Sequence, residues 1–145
     1  MAEFTPRNPD FAERVRSSFA RQGFMAYLGA DLGAVEPGAC QIRLPYRDEF
    51  SQQHHYFHGG VIGTLADNAG GYAAFALMGE NGSVLTVEFK LNIVAPREGE
   101  FLVARGQVVK AGRTLTVCRS DVFGVAGGVE TLCGTAQMTL MRLAD

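Results

Sequence analysis

The sequence predicts an α+β domain in which a curved antiparallel sheet wraps one long helix. Three observations predict it. The stretch from Gly59 to Met78 carries a single charge, Asp67, in a run of apolar and small residues. From Leu85 to Met141 the chain alternates apolar and polar residues in strand-length pieces joined by glycine-bearing turns. Ahead of the helix, Pro37-Gly38 interrupts two further strand-like pieces. A sheet with one apolar face and a helix this apolar bury each other when the sheet curls round the helix.

Taken in order, Phe11, Val15 and Phe19 recur at helical spacing, which predicts a short amphipathic helix over residues 8–22. Asp10 and Glu13 stand at capping-box spacing at its start. A hairpin follows with its turn at 36–39, and Cys40, Ile42 and Leu44 alternate with Gln41 and Arg43. RDEFSQQHHYF has no period and reads as a loop. The long helix is expected from 59 to 78, stopped by Gly79 and Asn81-Gly82. In LTVEFKLNIVA, Leu85, Val87, Phe89, Leu91 and Ile93 share one face, with Thr86, Glu88, Lys90 and Asn92 opposite, until Pro96. Strands over 101–110, 114–123 and 130–141 complete the set, with turns at 111–113 and 124–128. Short connections imply that the last four strands form an antiparallel meander.

At 145 residues, 47% hydrophobic and 19% charged, the chain reads as one globular domain spanning 1–145. No apolar run reaches the ~20 residues of a membrane span, and no secretory signal opens the chain. A cytoplasmic location is expected. Cys40, Cys118 and Cys133 are odd in number and form no CxxC pair, which disfavours a disulfide framework or a cysteine metal site. A net charge of −2 argues against nucleic acid. Residues 89–119 carry six basic side chains against two acidic ones, a local balance of +4. Either a solvated sheet face or a landing surface for a phosphorylated ligand has that character.

On a helical net, Asp67 has Gly63, Thr64, Gly70 and Gly71 as its neighbours, so it lies on a stripe of small residues. Close packing against another segment and close approach of a ligand both use such a stripe. His58-Gly59-Gly60 stands where unpaired N–H groups and the helix dipole favour negative charge. An oxyanion or a phosphate suits that position equally. Gln52 is a neutral amide able to hold a carbonyl or a water. His54, His55 and His58 form HHxxH without a helix to align them, so no metal is expected.

The ensemble Gln52-x5-His58-Gly59-Gly60-x6-Asp67, followed by TVEFKLNIVAP, resembles the hotdog-fold acyl-CoA thioesterases, in particular the PaaI-type branch. The resemblance covers about 24–141 and includes LGA…VEPG…I-R-L and the AGR turn. It implies a hotdog fold, a homodimer or homotetramer with active sites at the dimer interface, and no cofactor. Asp67 matches the catalytic carboxylate, acting as general base or nucleophile, and Gly59 the backbone donor to the carbonyl oxygen. Gln52 matches the carbonyl- or water-orienting amide, His58 the loop-supporting histidine, and Thr86 a hydroxyl that contacts the lytic water. Gly60, Asn68, Phe57 and Tyr72 are expected to touch substrate, the acyl pocket drawing on Tyr46, Phe50, Phe57, Tyr72 and Phe75. Lys90, Arg97 and Arg113 are the expected contacts for CoA phosphates, by charge and position. Asp67 lies eight residues after Gly59, about 12 Å along one helix. Both can grip one thioester only if it lies between two subunits. A non-catalytic acyl-CoA sensor is the competing reading, and a hotdog dehydratase lacks its histidine here.

Overall fold

The computed structural model describes residues 3–143. Helices α1 (Phe11–Ala20) and α2 (Gly23–Leu28) lead into strands β1 (Asp31–Glu36) and β2 (Ala39–Pro45). The long helix α3 (Gly59–Phe75) follows, then β3 (Ser83–Ile93), β4 (Phe101–Ala111), β5 (Leu115–Ala126) and β6 (Val129–Leu143). The expected helix over 8–22 is α1, which stops at Ala20, and α2 beyond it is an addition to the sequence reading. Asp10 occupies the N-cap without a side-chain hydrogen bond, so the expected capping box is not formed. Its φ of −89° and ψ of 23° lie outside the extended range usual for a cap. Helix α3 ends at Phe75 rather than Met78, because Leu77 and Met78 donate to Ala74 and Phe75 in a tighter terminal turn. The loop before α3 also holds a 3-10 turn, Asp48–Phe50.

All six strands run antiparallel in the order β1-β2-β4-β5-β6-β3. The meander is therefore confined to β4, β5 and β6, and the expected β3–β4 pairing does not occur. Gly127 and Gly128, both at positive φ, close β5 onto β6 in a two-residue turn. The β3–β4 connection, with Pro96 and Gly99, is longer and lets β3 pair with β6 at the sheet's far edge. Gly124, expected in the turn, is a strand residue pressed against Arg97; a Cβ there would sit 2.8 Å from Arg97 Cγ.

The concave face of the sheet holds α3. Ile62 and Leu65 of the helix meet Ile42, Leu44, Leu102, Met138 and Leu140 in one buried cluster. Val15 and Phe19 bury the inner face of α1 on the same core. The closest approach is backbone on backbone. A Cβ on Gly106 would lie 2.2 Å from the carbonyl carbon of Ala69, so β4 touches α3 with no side chain between them.

Strand β3 departs most from its sequence reading. A bulge between Thr86 and Glu88 shifts the register on β6 by one residue. Thr86 pairs with buried Leu140 and faces the helix, whereas Leu85 pairs with exposed Met141 on the convex side. Beyond the bulge, Phe89 and Leu91 turn to the helix side, beside Gly63. The five apolar residues thus do not share a face, and Phe89 and Ile93 remain exposed because β3 is an edge strand.

Cys40, Cys118 and Cys133 are free and buried. Burial pushes the first two thiols up to about 12 and Cys133 to about 11. At mildly alkaline pH the folded protein is expected to resist a chromogenic disulfide reagent and to react only in denaturant. Stoichiometric labelling of the native chain would contradict this packing.

Candidate active site

Helix α3 begins at His58, whose extended backbone (φ −63°, ψ 139°) and side chain make it the N-cap. Its Nδ1 accepts the Gly60 N–H at 2.9 Å, which leaves the ring proton on Nε2 in the neutral form. Val61 and Ile62 donate to the His58 carbonyl at 3.0 and 3.2 Å. Of the first-turn donors, Gly59 N–H is the one without a partner among the described hydrogen bonds. The positive helix end therefore presents Gly59 to an incoming oxygen, and Gly60 N–H is already engaged. A Cβ on Gly59 would lie 2.7 Å from Ile93 Cδ1, the far end of an exposed side chain that can move aside.

The loop ahead of the helix is held by backbone bonds. His58 N–H donates to Phe50 (2.8 Å) and Phe57 N–H to Arg97 (2.7 Å). Gln52 Oε1 accepts the backbone N–H of His54 in a tight turn where His55 takes φ 66°. With its oxygen so engaged, Gln52 has its Nε2 hydrogens available to donate.

Asp67 stands two turns along α3 and is partly buried. Thr86 Oγ1 donates to its Oδ1 at 2.7 Å, an alignment the β3 bulge makes possible. Gly63 and Gly71 leave open space near it, with only ordinary contacts for an added Cβ at 3.4 and 3.8 Å. Gly70 does not: it faces Met138 and Ser120 in the core, where a Cβ would lie 2.2 Å from Met138 Sδ. Only part of the small-residue stripe thus clears room at Asp67.

Two concavities meet at this carboxylate. A groove of about 450 Å³ runs past Phe24, Gly59, Gly63, Thr64, Asp67 and Phe89. On the other side Asp67, Asn68, Gly71, Tyr72, Phe75 and Thr86 help to line a cavity of about 330 Å³. Asn68 borders both; its Nδ2 donates to Thr64 O at 3.3 Å, while its buried Oδ1 has no partner.

The expected aromatic pocket divides in two. Tyr72 and Phe75 reach the cavity, their rings edge to face at 5.9 Å. Phe50 and Phe57 are buried in the core beneath the loop, Phe57 edge to face with Tyr46 at 5.1 Å. They support the loop and do not line the cavity. Sequence reasoning missed Ser18, on α1, and Gln22, the N-cap of α2, which reach the same cavity. Their spacing of one helical turn beside the buried Val15 and Phe19 was the available signal.

The basic surplus over 89–119 is smaller than its count. Arg105 pairs with Glu130 (2.6 Å) and Arg119 with Asp121 (3.2 Å). The guanidinium of Arg105 holds the Glu130 carboxyl below its usual range. Lys90, Arg97 and Arg113 do not gather at one place. Lys90 pairs with Gln137 on the sheet, whereas Arg97 and Arg113 lie at opposite ends of the β4–β5 hairpin. Arg97 is the one tied to the helix-capping loop, through its carbonyl, and its Nε is buried without a partner.

Residues 54–131, more than half of the chain, match the family described as the Thioesterase superfamily. The chain belongs to the thioesterase superfamily. It is a thioester hydrolase with the hotdog architecture. A solved thioesterase family protein from Silicibacter pomeroyi is 46% identical, covers 93% of this chain and 99% of its own, and superposes with a TM-score of 0.91. The 1,4-dihydroxy-2-naphthoyl-CoA hydrolase of Listeria monocytogenes is 24% identical over 66% of this chain and 77% of its own length. The PaaI protein of the E. coli phenylacetic acid degradation operon shares the fold at a TM-score of 0.82 and 16% identity, over 95% of this chain and 96% of that one. Among the described residues, no helix of this thioesterase is long and apolar enough to cross a membrane.

Proposed function

We propose that this thioesterase hydrolyses the thioester of an aromatic or medium-chain acyl-CoA, releasing the free acid and CoA in the cytoplasm. The observation that carries this reading is the Asp67–Thr86 pair at the mouth of a cavity of acyl-group size. Thioester hydrolysis needs a carboxylate at the reacting carbon and a preorganised donor where the oxyanion develops. As general base, Asp67 takes a proton from water as its oxygen bonds to the carbonyl carbon. As nucleophile, its own oxygen forms that bond and water then cleaves the anhydride. On either route the C–S bond breaks and CoA leaves as the thiol. Thr86 orients the carboxylate and the water. Gly59 N–H binds the carbonyl oxygen, with Gln52 Nε2 as a second donor and His58 sorting the helix-end donors.

Gly59 and Asp67 belong to one unbroken helix, about 12 Å apart along its axis. The reading therefore places Asp67 of one copy opposite Gly59 and Gln52 of another. The long β3 edge supports this, since its unpaired backbone, exposed Phe89 and Ile93, and the adjoining Phe24 form the apolar rim a second copy would cover. Pairing of dimers into a tetramer extends the same reading. Arg97, closest to the loop, is the first candidate for a CoA phosphate, ahead of Lys90 and Arg113. Gly60 and Asn68 would line the substrate's path through the groove.

The experiment is hydrolysis of a panel of acyl-CoAs followed by free thiol, alongside sedimentation at micromolar concentration. Turnover by a dimer or larger assembly is expected. Acyl-CoA binding without turnover would favour the sensor, and an active monomer would overturn the shared site.

A further inference from the structure

The segment that joins β3 to β4 is fastened to the sheet at both ends. Val94 N–H donates to the Cys133 carbonyl on β6, and Glu100 N–H to the Val125 carbonyl on β5, each at 2.9 Å. Between these ties the side chain of Arg97 lies across β5 at Gly124. A Cβ on Gly124 would fall 3.1, 2.8 and 2.9 Å from Arg97 Cβ, Cγ and Cδ, so the whole stem rests on bare backbone. Nε, the next atom along, is buried without a hydrogen-bond partner. Polar bonding at Nε is therefore not what fixes the side chain, and packing of its stem is.

The same residue reaches the helix start through its backbone. From residue 47 to residue 58 the described backbone hydrogen bonds stay within the loop or run into α3, save one. That one is the 2.7 Å bond from Phe57 N–H to the Arg97 carbonyl. Phe57 directly precedes the N-cap His58, and Gly59 follows with its unengaged N–H. Arg97 thus joins the sheet, by its stem, to the end of the helix that presents the donor.

Resting on the reading of Gly59 N–H as the oxyanion donor, we propose that Arg97 is a positioning residue. Its stem, seated on Gly124, keeps that donor in place, apart from any contact its guanidinium makes with CoA. The consequence falls on kcat, because the oxyanion develops in the transition state and a displaced donor stabilises it less.

The test separates stem from charge. Arg97→Ala removes both, whereas Arg97→Met keeps an unbranched stem and removes only the charge. On an arylacyl-CoA, Arg97→Ala is expected to lower kcat about tenfold. Arg97→Met should hold kcat within about threefold of wild type, with loss of the charge read in KM. Gly124→Ala displaces the stem from the other side and should match Arg97→Ala, the double variant being no worse than either. Amide exchange over residues 50–60 should quicken in Arg97→Ala and Gly124→Ala but not in Arg97→Met. These two routes to one displacement keep the comparison open if either variant fails to fold, which urea unfolding shows. Unchanged exchange in both overturns the inference and leaves the donor reading standing. Faster exchange with kcat unchanged overturns the donor reading on which the inference rests. Equal losses of kcat in Arg97→Ala and Arg97→Met overturn the role of the stem.

Discussion

Replacing Asp67 by Asn is expected to lower kcat/KM on acyl-CoA by roughly 10²–10⁴-fold, the usual range for loss of a positioned general base. The substitution keeps the side chain's size, and an amide oxygen still accepts the Thr86 hydroxyl now 2.7 Å from Oδ1. What is lost is the basicity and nucleophilicity of one oxygen at the junction of groove and cavity. Both chemical routes need that oxygen, so the loss does not depend on which operates. Because local packing is preserved, the thermal midpoint should move little. Thiol-release kinetics and thermal unfolding of the same sample check the two halves. Activity within about threefold of wild type would remove Asp67 from the chemistry.

The largest effect on stability is expected from Gly106→Val. The first carbon of any side chain at Gly106 would come within 2.2 Å of the Ala69 carbonyl carbon and 2.5 Å of the Gly70 nitrogen. These are backbone atoms in the middle of α3 and cannot rotate away. The sheet would have to lift from the helix it wraps. We expect a loss of about 3 kcal/mol or more, beyond the ordinary range for overpacking, or no folded protein at all. Gly63→Ala is the informative control, because its added carbon would meet the flexible end of Leu91 at 3.4 Å. Urea unfolding of both variants, with equal midpoints as the disproving result, distinguishes backbone contact from ordinary crowding.

The elements that tolerate no ambiguity were legible in the chain. Pro37-Gly38 marks its turn because Gly38, at φ 76°, fits the third position of a type II turn. The apolar run after His58 could hardly be other than a buried helix, and Asp67 within it pointed to the candidate site. Sheet order was not legible, because alternation along a strand carries no information about which strand lies beside it. The bulge at Val87 was hidden for a related reason. LTVEF alternates without a break, and only pairing with β6 shows that one residue is extra. The donor set was half legible: HGG marked a helix start, whereas the engagement of Gly60 by His58 needed the folded ring. For Ser18 and Gln22 the sequence offered only their spacing beside Val15 and Phe19, because nothing in it says that this face lies against Tyr72.

The extra residue at Val87 acts as a change of phase in the strand. On its N-terminal side, the inward beat falls on Thr86 and serves the carboxylate. On its C-terminal side the beat falls on Phe89 and Leu91, and serves the groove along the helix. A strict alternation would give one strand a single task along its length. On the function proposed above, the offset lets one continuous strand deliver a hydroxyl to chemistry and, a few residues later, an apolar edge to assembly. Inserting or removing one residue there would exchange the two faces at once, so on that reading a length change at this point is expected to unsettle catalysis and association together.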